Sequence, residues 1–170
     1  MSQTVKFYLM RHGDAQPAQA LQADAIRPLS SYGEQEVVVS GQWLAADMAQ
    51  QQTQVDWLMS SPFVRARQTA QIMQQQLGCE AADINDDITP AGNAELFADW
   101  LFSEVQRRGA HCRSVLMVSH MPFVSYLVAA LDTAVEPMLF PTAGIAEIEL
   151  DIAQWRGRFV RMIVAEPAQD

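Results

Sequence analysis

Short apolar runs alternate along this chain with longer stretches in which apolar residues recur every three or four positions. Val5–Met10 is a brief run of β-branched, aromatic and aliphatic residues, which predicts a buried strand stopping at Gly13. Asp14–Ala25 has no period and reads as a loop, closed by Arg27-Pro28-Leu29. Ser31-Tyr32-Gly33-Glu34 has the spacing of a capping box and predicts a helix with Val37, Gly41, Leu44 and Met48 on its inner face. After a Gln-rich linker at Gln50–Gln54, Val55–Ser60 reads as a second strand. Ser61-Pro62 then predicts a helix start, with Phe63, Ala66, Ala70, Met73 and Leu77 as the buried stripe and Gly78 as the stop.

Ile84–Asn93, holding Pro90 and Gly92, is irregular, and Glu95–Arg108 is helical up to Gly109. Ser114–Ser119 is apolar throughout its centre, as a strand covered on both faces would be. Pro122 opens a helix to about Leu131, and Ile145–Ile152 and Phe159–Val164 form a hairpin through Trp155-Arg156-Gly157. Three strand–helix units and a hairpin predict an α/β fold, a three-layer α/β/α sandwich with a mostly parallel central sheet and a C-terminal antiparallel hairpin. No composition break divides the 170 residues, so residues 1–170 are expected to form a single domain.

Composition narrows the chemistry. Hydrophobic residues make up 49% and charged residues 18%, a globular mix, and the net charge of −9 repels nucleic acid and anionic lipid surfaces. Of the basic residues only Lys6 is a lysine, and it follows no Gly-rich loop, which excludes a P-loop NTPase. Neither a G-x-G dinucleotide fingerprint nor a G-x-S-x-G elbow occurs. The two cysteines, Cys79 and Cys112, suit buried thiols in a reducing compartment better than a disulfide. With no signal-like opening and no run near the ~20 apolar residues of a membrane span, the chain is expected to be cytoplasmic, with no membrane partner.

In an open α/β sheet, ligands bind beyond the carboxyl ends of the strands. Those ends deliver Arg11-His12-Gly13, Ser60-Ser61-Pro62 with Arg65 just beyond, and Ser119-His120. Guanidinium forks match phosphate oxygens in pairs, and an imidazole, with an ordinary pKa of about 6.5, is a competent nucleophile at phosphorus. Other phosphatase chemistries fit poorly: C-x5-R is absent, since Asn85 and Val118 stand where an arginine would be needed, and there is no D-x-D strand end. No H-E-x-x-H or similar metal spacing appears.

Arg11-His12-Gly13 resembles the signature of the histidine phosphatase (phosphoglycerate-mutase-like) superfamily. The likeness continues through Arg27-Pro28-Leu29-Ser30 with Gly33, Ser61-Pro62-Phe63-Val64-Arg65-Ala66 with Gln68-Thr69, and Val118-Ser119-His120-Met121-Pro122. Within that superfamily the short chain most resembles the SixA-type phosphohistidine phosphatases, over nearly its whole length. The resemblance implies a cofactor-free, metal-free enzyme in which His12 takes the phosphoryl group covalently and Arg11 and Arg65 hold its oxygens. His120 would complete the pocket, Arg27 would line its mouth, and Gly13 would belong to the substrate-binding loop. It also implies a phosphohistidine-containing protein as partner, either the phosphotransfer domain of a hybrid sensor kinase or a phosphocarrier protein.

Many members of the superfamily place a carboxylic acid where this chain reads Ile88-Thr89-Pro90-Ala91-Gly92. Asp14, Asp24 and Glu95 are the substitutes that proximity in sequence suggests. An imidazole leaving group needs far less protonation than an alkoxide, so a site without a strong acid suits phosphohistidine. The alternatives are a small-molecule phosphomonoesterase or mutase of the same superfamily, and a non-catalytic phosphoprotein-binding module. His111-Cys112, Arg107-Arg108 and the alternating Arg156, Arg158 and Arg161 read as surface or structural residues, the last three as solvated edge charges.

Overall fold

Alternate residues of β1 (Thr4–Arg11) face opposite cores, which is why its sequence is an unbroken apolar run. Val5, Phe7 and Leu9 enter one core, Tyr8 and Met10 the other, and all five are fully buried. The computed structural model describes residues 3–168; Met1, from which the opening of the chain was read, lies outside them. β4 (Ser114–Ser119) behaves in the same way, with Val115 and Met117 on one side and Leu116 and Val118 on the other. α1 (Ser31–Gln51) and α2 (Val64–Leu77) cover one face of the sheet, and α3 (Ala94–Arg108) and α4 (Phe123–Leu131) cover the other.

With β2 (Trp57–Ser60), β3 (Asp83–Ile84), β5 (Ile145–Asp151) and β6 (Arg156–Ile163), the sheet runs in the order β3-β2-β4-β1-β5-β6. The first four strands in that order are parallel, β5 runs antiparallel to β1, and β6 pairs antiparallel with β5 at the edge. The α/β architecture with a C-terminal antiparallel hairpin is therefore the one expected. Register places the chemistry. Arg11 lies opposite Ser119 and Ser60 opposite Val118, so β1, β2 and β4 end together and release His12, Ser61 and His120 at one rim. β5 begins opposite Met10, so the loop preceding it also reaches that rim.

Several boundaries differ from the sequence-based expectation. α1 is capped by Ser30, within one residue of the expected box: its Oγ accepts from Gly33 N at 3.0 Å while donating to Asp14 Oδ2 at 2.6 Å. The helix also runs on to Gln51, through part of the expected linker, and stops at Gln52, which is left-handed. α2 opens at Val64, two residues after Pro62, because Phe63 stays extended and donates its N–H to Ser61 Oγ. Phe63 and Leu77 are only partly buried, and β2 starts at Trp57 rather than Val55. β3, two exposed residues long, was not expected, and its second residue, Ile84, opens the stretch read as irregular. β6 begins at Arg156, paired with Asp151, so the hairpin turns earlier than expected, with Trp155 at a φ of 57°. Arg161 is no solvated edge charge: it donates to Asp47 at 2.9 Å and Glu147 at 3.1 Å and lies over the Trp43 ring.

Candidate active site

His12 leaves β1 with its backbone already committed: its N–H donates to Ser119 O at 3.1 Å and its C=O accepts from Ala143 N at 3.0 Å. The ring is held as tightly. Nδ1 lies 2.6 Å from the Gly13 carbonyl, which can only accept, so Nδ1 carries the hydrogen and Nε2 the lone pair. Arg65 Nε donates to that lone pair at 3.2 Å. Burial lowers the His12 pKa to about 4; the bond to Gly13 opposes this, and the charges of Arg65, Arg11 and Arg27 reinforce it. The ring is therefore neutral at pH 7.

The next residue explains how the loop is fixed. A Cβ on Gly13 would stand 2.7 Å from Gly33 O and 2.8 Å from Val37 Cγ2, so this turn packs directly against the first turn of α1. Gly13 N donates to Thr69 Oγ1 at 3.2 Å, and that hydroxyl donates to Arg65 O at 2.8 Å, tying the loop to α2. Gly13, expected to touch substrate, does not line the pocket. Its contribution runs through the carbonyl that orients His12.

His120 is 1% exposed, and its ring centroid stands 5.0 Å from that of His12. Nε2 is 2.7 Å from Ser61 Oγ, while Nδ1 is buried without a hydrogen-bond partner among the described residues. Burial, and then the charges of His12 and Arg65, lower the pKa of His120 to about 3, against the opposing pull of Asp24. Phe63 meets the His120 ring edge-on at 4.9 Å and carries the Arg65 guanidinium 5.1 Å above its own ring. Two adjacent neutral imidazoles in one charged pocket are what desolvation beside permanent cations produces.

Arg11, His12, Asp14, Ala15, Asp24, Arg27, Arg65, Pro90, His120, Met121 and Thr142 line an open pocket of about 340 Å³. Arg11, His12, Arg65 and His120, expected at one rim, are thus brought together with Arg27, expected at the pocket mouth. Arg11 is anchored by Nη1 on Phe140 O at 2.7 Å. Arg65, 3% exposed, donates through Nη1 to the Asp24 carbonyl at 2.8 Å and through Nη2 to Asp24 Oδ2 at 3.0 Å. Arg27 donates to Asp24 Oδ1 through Nε at 3.2 Å and Nη2 at 3.1 Å.

Among the three carboxylates considered as acids, Glu95 stands in the first turn of α3 and does not line the pocket. Asp14 and Asp24 do. Burial raises the Asp24 pKa, but the hydrogen bonds and charges of Arg65 and Arg27 outweigh it and hold the carboxyl below its ordinary range, so it stays ionised. Pro90 lines the pocket, so the segment in which the resemblance implied an acid contributes a proline there instead.

Sequence reasoning missed Glu36, Thr142, Phe140 and the role of Ser61. Glu36 is buried in α1, accepts from Asp14 N at 2.9 Å and from Thr142 Oγ1 at 2.8 and 2.9 Å, and so clamps two pocket loops together. The antiparallel return of β5 was the available signal for Phe140 and Thr142, since the start of such a strand meets the ends of its neighbours. His111 is exposed and Cys112 buried before β4, away from the rim, as expected. Burial raises the Cys112 thiol to about 11.

A lone pair at His12 Nε2, three guanidinia and a second imidazole form a site that can accept a phosphoryl group and disperse its charge. The chain belongs to the histidine phosphatase superfamily. The family model described as "Histidine phosphatase superfamily (branch 1)" matches residues 7–88. The chain is 34% identical over 148 residues to "Phosphohistidine phosphatase SixA" of Escherichia coli (strain K12), covering 86% of each. It is 32% identical over 151 residues to "Phosphohistidine phosphatase SixA homolog" of Haemophilus influenzae (strain ATCC 51907 / DSM 11121 / KW20 / Rd), covering 86% of this chain and 89% of that one. The solved structure of the protein histidine phosphatase SixA complexed with tungstate superposes with a TM-score of 0.83 at 31% identity, over 94% of this chain and 97% of that chain.

Proposed function

We propose that residues 1–170 form one domain that removes the phosphoryl group from a phosphohistidine-containing protein. The observation that carries this reading is the tautomer of His12: Gly13 O fixes the hydrogen on Nδ1 and leaves Nε2 to attack. Attack on phosphorus forms the Nε2–P bond as the donor's N–P bond breaks, and the donor imidazole departs with a proton taken from the solvent that the open pocket admits. Water then hydrolyses the phosphoenzyme to inorganic phosphate and regenerates His12. Arg11, Arg65 and Arg27 balance the charge on the transferring oxygens, and His120 flanks them.

The proton inventory favours an N–P substrate. The pocket wall at Pro90 has no acid, Asp24 is held ionised by two arginines, and an imidazole leaving group needs little protonation. The similarity to curated phosphohistidine phosphatases supports the same reaction. A phosphotransfer domain of a hybrid sensor kinase or a phosphocarrier protein fits an open pocket about 340 Å³ in volume, and a cytoplasmic setting fits such a partner. Among the described residues no helix is long and apolar enough to cross a membrane.

The test is incubation with a ³²P-labelled phosphohistidine protein. The enzyme is expected to acquire an acid-labile, base-stable label and to release inorganic phosphate, and His12→Ala is expected to lose both. Turnover that survives in His12→Ala would show that another group is the nucleophile.

A further inference from the structure

Every side-chain nitrogen of Arg65 is engaged before any phosphoryl group arrives. Nε donates to His12, while Nη1 and Nη2 both donate to Asp24. Arg27 spends two more donors on the same carboxylate and its third nitrogen on Gln16 O. Asp24 thus bridges two of the three pocket arginines with one oxygen toward each, the arrangement a phosphoryl group would adopt. Its side chain is 56% exposed and sits on the three-residue turn Asp24–Ile26, which buries nothing.

We infer that Asp24 is a specificity-determining residue: its carboxylate holds the guanidinium positions that a phosphoryl group must take, so every incoming anion has to displace it. The inference rests on the phosphatase reading of the site. Displacement costs each ligand the same two charged contacts, but the means to offset that cost differ. Free phosphate and free phosphohistidine bring only their own oxygens. A folded phosphoprotein also brings a surface, and Ile26, 56% exposed on the same turn, gives that surface an apolar handle with which to hold the turn away. Discrimination against small phosphorylated molecules follows, because binding energy remote from the phosphorus offsets the rearrangement. The turn makes this inexpensive for the fold, since no core contact is lost when it moves.

Asp24→Asn keeps the shape and the backbone carbonyl and removes the charge. Inorganic phosphate, titrated calorimetrically into the full chain, is expected to bind about threefold to tenfold more tightly to this variant, on the scale of one or two ion pairs made by a solvent-exposed carboxylate. Asp24→Ala is expected to shift in the same direction. Asp14→Asn removes an equal charge from the pocket, but Asp14 makes no hydrogen bond to Arg27 or Arg65 among the described residues, and it is expected to tighten phosphate less. In turnover, kcat/KM for free phosphohistidine is expected to rise severalfold more than kcat/KM for a phosphohistidine protein. Unchanged or weaker phosphate binding in Asp24→Asn would overturn the inference, since a carboxylate that merely braces Arg65 gives that result. Equal tightening in Asp14→Asn, or an equal gain on both substrates, would overturn it too. A wild-type chain that hydrolyses neither substrate would overturn the phosphatase reading instead, and phosphate affinity would still decide what Asp24 does.

Discussion

Acidification from pH 7 to pH 5 should destabilise the fold through two imidazoles. His12 and His120 have folded-state pKa values of about 4 and about 3, whereas in the unfolded chain each returns to an ordinary value of about 6.5. Between pH 6.5 and about 4 the unfolded chain therefore binds protons that the native chain refuses. Stability rises with pH across that window and is lost as pH falls through it. At pH 5 an ordinary imidazole is almost wholly protonated, so each histidine costs about 2 kcal/mol relative to pH 7, or roughly 4 kcal/mol for the pair. That is a large fraction of the 5–15 kcal/mol typical of a domain. Urea denaturation at pH 7, 6 and 5, followed by tryptophan fluorescence, measures it. Asp24 and Glu104, whose carboxyls are held below their ordinary range, add a slope of the same sign only toward the acid end of the window, where the carboxyls of the unfolded chain begin to take up protons. The double variant His12→Gln, His120→Gln should flatten the profile while retaining the exposed His111. A wild-type stability constant to within 1 kcal/mol, or a slope that survives in the double variant, would refute the assignment of buried neutral rings.

Single-turnover phosphorylation of the enzyme should keep its rate from pH 7 down to pH 5, because His12 is still neutral there; an acid limb centred near 6.5 would contradict the lowered pKa. Arg65→Ala should reduce kcat/KM by about two to three orders of magnitude, and Arg65→Lys should recover little, since an ammonium cannot reach His12, Asp24 and a phosphoryl oxygen together. Pro90 occupies the second position of a turn closed by Gly92 N on Thr89 O, a place glutamate tolerates. Pro90→Glu should therefore raise hydrolysis of aryl and alkyl phosphates relative to phosphohistidine, and an unchanged ratio would mean that the missing acid does not set the preference.

What could be read from the chain follows the range of the interactions involved. β4 was located to the residue because burial on both faces leaves an apolar run with sharp polar ends. His12, Arg65 and His120 were legible because each lies within a few residues of a strand end, and parallel register then aligns those ends. Glu36 and Thr142 were not, since their contact spans 106 residues and neither has an unusual local setting. The start of α2 was misjudged because Ser61, an ordinary capping residue by pattern, accepts from Phe63 N while Phe63 stays extended, which leaves Pro62 outside the helix. Asp24 was visible as a nearby carboxylate, but its bridge between Arg27 and Arg65 depends on how the loop folds back over α2.

The reversal of β5 beside β1 leaves the pocket with two kinds of wall. One is built from the ends of parallel strands and cannot vary without disturbing the nucleophile. The other arrives through residues 132–144, an irregular connection that supplies Phe140 O and Thr142 and leaves Leu139 fully outward. Lengthening or recolouring that connection would give the same phosphorus chemistry a different mouth, so descendants of this chain could exchange clients while inheriting the reaction unaltered.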